Sequence, residues 1–77
     1  MPIYYFQFRK AAGIERMDGI EFPDEQTLLR EAVRGAKDLM CEGICEGYDR
    51  THWVAQVFDG KGREVLKLKF SDLLKRE

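Results

Sequence analysis

Cys41 and Cys45, four residues apart, together with the only histidine, His52, and the only serine, Ser71, are the residues that invite a chemical reading. Zinc prefers four ligands, and a C-x-x-x-C pair with one histidine offers three at most. It also lacks the C-x-x-C spacing with which two thiolates share an ion from a tight turn. No metal site and no cofactor is expected. A helical i, i+4 cysteine pair rarely meets disulfide geometry. Lys37, one turn before Cys41, favours a thiolate, whereas Asp38, Glu42, Glu46 and the negative end of a helix oppose it. The thiols therefore read as reduced and unassisted. His52 and Ser71 come without a G-x-S-x-G elbow, and the histidine reads as an exposed residue leading into a strand. "DGKGRE" is neither the phosphate-binding G-x-x-x-x-G-K-[ST] loop nor a D-x-D-x-D-G calcium loop, so it reads as a hairpin turn. No catalytic residue is assigned, and a non-enzyme is expected.

The scaffold that must position these residues is small. Seventy-seven residues make one domain, 1–77, with one thin core. A stability of about 5 kcal/mol leaves little surplus for a strained active site. Acids and bases nearly cancel, for a formal charge of −1, so nucleic acid or anionic lipid would need a local patch. The first residues, "MPIYYFQFRK", lack a basic n-region, and their aromatic run is far short of the roughly 20 apolar residues of a membrane helix. A cytoplasmic protein without membrane contact is expected.

"IYYFQFR" alternates, with Tyr4, Phe6 and Phe8 on one face and Ile3, Tyr5, Gln7 and Arg9 on the other, which predicts a strand over about 3–9. A weaker strand, about 16–22, carries Met17, Ile20 and Phe22 and pairs with the first as a hairpin. Pro23 stops it, and Asp24 caps a helix over about 24–43. Leu28, Leu29, Ala32, Val33, Ala36, Leu39, Met40 and Gly43 form the apolar stripe of that helix. Cys41 and Cys45 point away from the stripe, and Gly43 and Gly47 both suit the left-handed residue that ends the helix. Strands at about 52–58 and 63–70 close a second hairpin. Trp53, Ala55 and Val57 share a face with Leu66, Leu68 and Phe70, while Val54, Gln56 and Phe58 share the opposite face with Val65, Lys67 and Lys69. "SDLLKRE" reads as a short helical turn capped by Ser71, with Lys75 and Arg76 fraying. The fold class is α+β, order ββαββ: a four-stranded, mainly antiparallel sheet with one amphipathic helix on one face.

"MPIYYFQFR", "DGIEFPDEQTLLREA" and "VFDGKGREVLKLKFSD" together resemble the small bacterial proteins grouped as domain of unknown function 6894. Members of that family open M-P-x-Y-Y-F, continue with D-x-x-G-x-E-x-P-D before an alanine-rich helix, and close with V-x-D-x-x-G and an F-S-D-like end. The resemblance spans nearly the whole chain and implies this fold and a bacterial cytoplasmic setting, with no activity. "RKAAGIERMDG" lacks the acidic residue that usually follows the first strand, so no ligand role carries over to that loop. The hairpin and P-D-capped helix are also similar, over the first half, to the antitoxin of HicA and HicB type pairs.

One helix cannot cover both sides of a sheet, so one face is left for contact. Tyr5, Val54, Phe58 and Val65 are the expected apolar anchors of a protein-interaction module that self-associates, a homodimer formed through that face or a strand edge, with another protein as the other partner class. The alternative is a weak single-stranded nucleic-acid binder using Tyr5, Arg9, Phe58, Lys67 and Lys69, in which aromatic rings stack bases and cations meet phosphates. A thiol-dependent redox protein is the third class.

Overall fold

Alternation of large rings with polar side chains gives the first strand, β1 (Ile3–Lys10), one buried side carrying Tyr4 and Phe6. The computed structural model describes residues 2–74. β1 is followed by β2 (Gly13–Arg16), β3 (Ile20–Glu21), the helix α1 (Glu25–Cys45), β4 (Val54–Phe58), β5 (Glu64–Lys69) and a closing 3-10 turn, Phe70–Leu73. The sheet runs β2-β1-β4-β5, with β3 also paired to β1 and every pairing antiparallel.

The sheet thus has five strands where four were expected, because the single strand expected over 16–22 is replaced by two short ones, the first of which begins earlier, at Gly13. β2 pairs Gln7 with Arg16, β3 pairs Tyr4 with Ile20, and the register slips by one residue between them. The break falls at Gly19, where a Cβ would sit 2.6 Å from Ile3 Cγ2 and 2.9 Å from Tyr5 Cε1. Here the backbone passes too close under those side chains to keep the pleat.

Asp24 caps α1 as expected, its Oδ1 accepting the Thr27 amide at 2.7 Å. The helix ends at Cys45, two residues beyond the expected 43. Tyr48 N–H donates to Gly43 O at 2.7 Å and Gly47 N–H to Ile44 O at 3.0 Å, with Gly47 at φ +86°. That is a Schellman closure, so Gly47 is the terminator and Gly43 a buried helical residue. Leu28, Ala32, Ala36 and Met40 bury the apolar stripe as expected, but Leu29 remains 46% exposed at its margin.

One part of the core joins Leu28 and Ala32 to Tyr4, Phe6 and Val57, and a second joins Ala36 and Met40 to Ala55 and Phe70. Phe70 and Val57 have no solvent exposure. Ser71 does not cap the final turn. Lys69 precedes that turn, and no side chain caps it. The fraying expected at Lys75 and Arg76 lies outside the described residues.

Candidate interaction surfaces

Strand register arranges the uncovered sheet face in three rungs. The first is Tyr5, Phe58 and Glu64; the second Arg16, Gln7, Gln56 and Lys67; the third Ile14, Arg9, Val54 and Lys69. From the middle rung a chain of hydrogen bonds crosses all four strands, reaching β5 at Glu64 of the first rung. Arg16 Nε donates to Gln7 Oε1 at 3.1 Å, Gln7 Nε2 to Gln56 Oε1 at 3.0 Å and Gln56 Nε2 to Glu64 Oε1 at 3.3 Å. Arg9 Nε adds a second donor to Gln56 Oε1 at 2.9 Å. Gln56, only 7% exposed, is therefore satisfied and fixes the face as a rigid polar row.

Aromatic and basic groups surround this row. Tyr5 is 43% exposed and its ring leans on the backbone at Gly19, while Phe58 stands directly opposite it. Among the described residues, none of Arg9, Arg16, Lys67 and Lys69 forms an ion pair; the ion pairs are Lys10–Glu15, Arg50–Glu46 and Arg63–Asp59. Ile14 escaped the sequence reading because the second strand was set to begin at 16, and Arg16, its first residue, was not assigned to this face. Val65 does not belong on this face. The register shift at Val57/Phe58 makes it the extra residue of a bulge, and it packs instead against the helix-side core.

The opposite face of the sheet is only partly covered. Between α1 and the β1–β3 edge lies a groove of about 740 Å³ with Phe6, Phe8, Met17, Ile20, Phe22 and Trp53 along its floor and outer wall. Glu31, Gly35, Asp38 and Glu42 line its helix side. Two cations also border it, and both are engaged internally. Lys10 pairs with Glu15 and lies 4.8 Å from the Trp53 ring centre. Arg50 stacks on the same ring at 4.5 Å, donates to Leu39 O at 2.9 Å and pairs with Glu46 at 3.6 Å. Arg50 was not singled out in the sequence. The signal was a helix whose last turn holds no basic residue, followed closely by an arginine.

The residues that first invited chemistry are dispersed. Cys41 and Cys45 are free and exposed on α1. Among the described residues His52 makes no side-chain hydrogen bond, and Asp49, its nearest candidate partner in sequence, is occupied by Thr51, whose hydroxyl donates at 2.6 Å and whose amide donates at 2.9 Å. Those bonds, the hydroxyl's first, hold the Asp49 carboxyl below the usual carboxylate range. Asp59 organises the β4–β5 turn, accepting from the amides of Lys61 at 2.9 Å and Arg63 at 3.0 Å, which is the hairpin expected of "DGKG". Among the described residues no three His, Cys, Asp or Glu side chains converge as a metal-binding group. No helix there is long and apolar enough to cross a membrane.

In comparisons with known proteins, the family model described as domain of unknown function (DUF6894) matches residues 3–71. No curated protein and no solved structure matches the chain.

Proposed function

The chain belongs to the DUF6894 family, whose description assigns no activity, and on that premise we propose that it is a non-enzymatic interaction module binding another protein through the uncovered sheet face. Tyr5, Val54 and Phe58 are the apolar anchors. The observation that carries this reading is a set of four cations, Arg9, Arg16, Lys67 and Lys69, that form no ion pair among the described residues and share one sheet face with two facing aromatic side chains, along a hydrogen-bonded row. The matching surface is therefore acidic.

A second copy of the chain, stacking the same face, is the other protein partner to consider, and salt distinguishes the two. Stacking two of these faces opposes like charges, so self-association through them strengthens as salt screens the repulsion, whereas an acidic partner weakens. Affinity capture from the native host, with wild type, Phe58→Glu and Lys67→Glu as baits, tests the proposal. A protein retained by wild type, lost with either variant and released by salt supports it; equal retention on all three baits overturns it. Light scattering across the same salt range reports a homodimer.

The second reading is single-stranded nucleic acid, favoured by Tyr5 and Phe58 lying beside Arg9, Lys67 and Lys69. It predicts oligothymidylate binding whose logarithmic salt slope stays below about 3, since at most four phosphates are neutralised. Phe58→Ala would reduce that binding by removing a stacking platform.

A further inference from the structure

The groove on the helix side of the sheet carries local costs that nothing inside the molecule offsets. Gly35 stands in mid-helix, where glycine is destabilising relative to alanine, yet a Cβ there would meet nothing within 4 Å. No internal contact requires it. Asp38 and Glu42, one turn apart, are like charges at i, i+4, and Glu42 lies in the last turn, at the negative end of the helix dipole. At 100° per residue, Glu31, Gly35, Asp38 and Glu42 fall within about 60° of one another and form one stripe along the groove. Among the described residues, none of the three acids is in an ion pair. The apolar side is exposed as well, with Met17 at 47% and Ile20 at 40%. Local rules broken together on one stripe mark a surface shaped by something outside the fold.

We propose that this groove docks a cationic amphipathic helix of a partner protein. Its apolar side would rest on Phe8, Met17 and Trp53, with its Lys or Arg side chains along Glu31, Asp38 and Glu42. Charge complementarity selects the sign, because Lys10 and Arg50 are already engaged while the three acids are not. Backbone accounting selects the helix. The β1 strand in the groove floor is paired on one edge by β4 and on the other by β2 and β3, leaving little free edge there for an added strand. A helix satisfies its own backbone. From Glu31 to Glu42 the acidic stripe runs for about three turns of α1, roughly 16 Å at 1.5 Å rise per residue, which matches about three turns of a partner helix. Gly35 then gives that helix room to approach. This site lies on the face opposite the one in the functional proposal, so either can stand without the other.

The only tryptophan, Trp53, lines the groove and reports occupancy through its fluorescence. The probes are a Leu/Lys peptide with leucines at i, i+3 and i+4 spacing, a scrambled peptide of the same composition and a Leu/Glu counterpart. Expected is a saturable emission shift with the first peptide alone, weakening at high salt. Asp38→Lys combined with Glu42→Lys weakens it at least tenfold, and Phe58→Glu on the far face leaves it unchanged. Gly35→Leu abolishes the shift while the thermal midpoint holds or rises, which separates a blocked groove from a misfolded protein. Equal response to the scrambled or Leu/Glu peptide, or indifference to the Asp38 and Glu42 reversals, overturns the proposal. So does a concentration-dependent shift without peptide, which would mean that a second copy fills the groove.

Discussion

Arg50 contributes more to this small protein than any residue that looked chemical in the sequence. Its guanidinium donates to Leu39 O and pairs with Glu46, the C-cap residue, which brings positive charge to a helix whose last turn has no basic residue, and its stem lies over Gly43, where a Cβ would come within 2.7 Å of Arg50 Cδ. Its planar head stacks on Trp53. Arg50→Ala is expected to lower stability by about 2 kcal/mol in urea unfolding and to change Trp53 emission, through loss of a charged hydrogen bond and a cation–π contact. Arg50→Lys restores little, since an ammonium cannot stack as a plane. Phe70 carries the second residue-scale prediction. Fully buried where α1, β4 and β5 meet, Phe70→Ala costs about 3–5 kcal/mol. Against the stability of about 5 kcal/mol expected of so small a domain, calorimetry should find the variant largely unfolded or close to it. That Phe70 would be buried was legible from its place on the apolar face of the last strand. The role of Arg50 was not, because it depends on a loop folding back over a helix end.

Among the elements, α1 was the most legible, since Asp24, the stripe from Leu28 to Met40 and Gly47 each act through near neighbours. Its end was ambiguous between two glycines, and only the φ of +86° at Gly47 resolves it. Gly47→Ala should therefore cost about 1–2 kcal/mol in thermal or urea melts, from forcing a Cβ into the left-handed region. The second strand was misread because Met17, Ile20 and Phe22 carry a plausible apolar pattern through a break that only the crossing of Gly19 beneath Tyr5 imposes. Hydrogen bonds at element ends also set the pH response. Asp24, Asp49 and Asp59 are held below their ordinary value near 3.8, chiefly by bonds from Thr27, Thr51 and Arg63 respectively. A depressed folded pKa stabilises above the unfolded value, and that contribution is lost as pH falls through the folded one. The thermal midpoint should lose these contributions progressively below about pH 4. In an Asp24→Asn, Asp59→Asn double variant it should fall less steeply.

At the scale of the whole molecule the decisive property is where charge goes. A formal charge of −1 suggested no field, yet the fold gathers Arg9, Arg16, Lys67 and Lys69 on one sheet face and aligns Glu31, Asp38 and Glu42 along the groove on the other. Lys67 and Lys69 also guard β5, the long free edge of the sheet. Replacing both with threonine should promote edge-to-edge pairing, seen as higher apparent mass in light scattering and as precipitation on concentration. Periodicity and bonds between residues a few positions apart were enough for the α+β class, the capped amphipathic helix, the β4–β5 hairpin and the outward-facing cysteines. Not legible in the sequence were the inward turn of Val65 at a bulge, the folding of Arg50 over the helix end, and the basic face and acid-lined groove of a nearly neutral chain. Those outcomes depend on register and on the docking of distant segments, where a shift of one residue reverses which side of the sheet a side chain occupies.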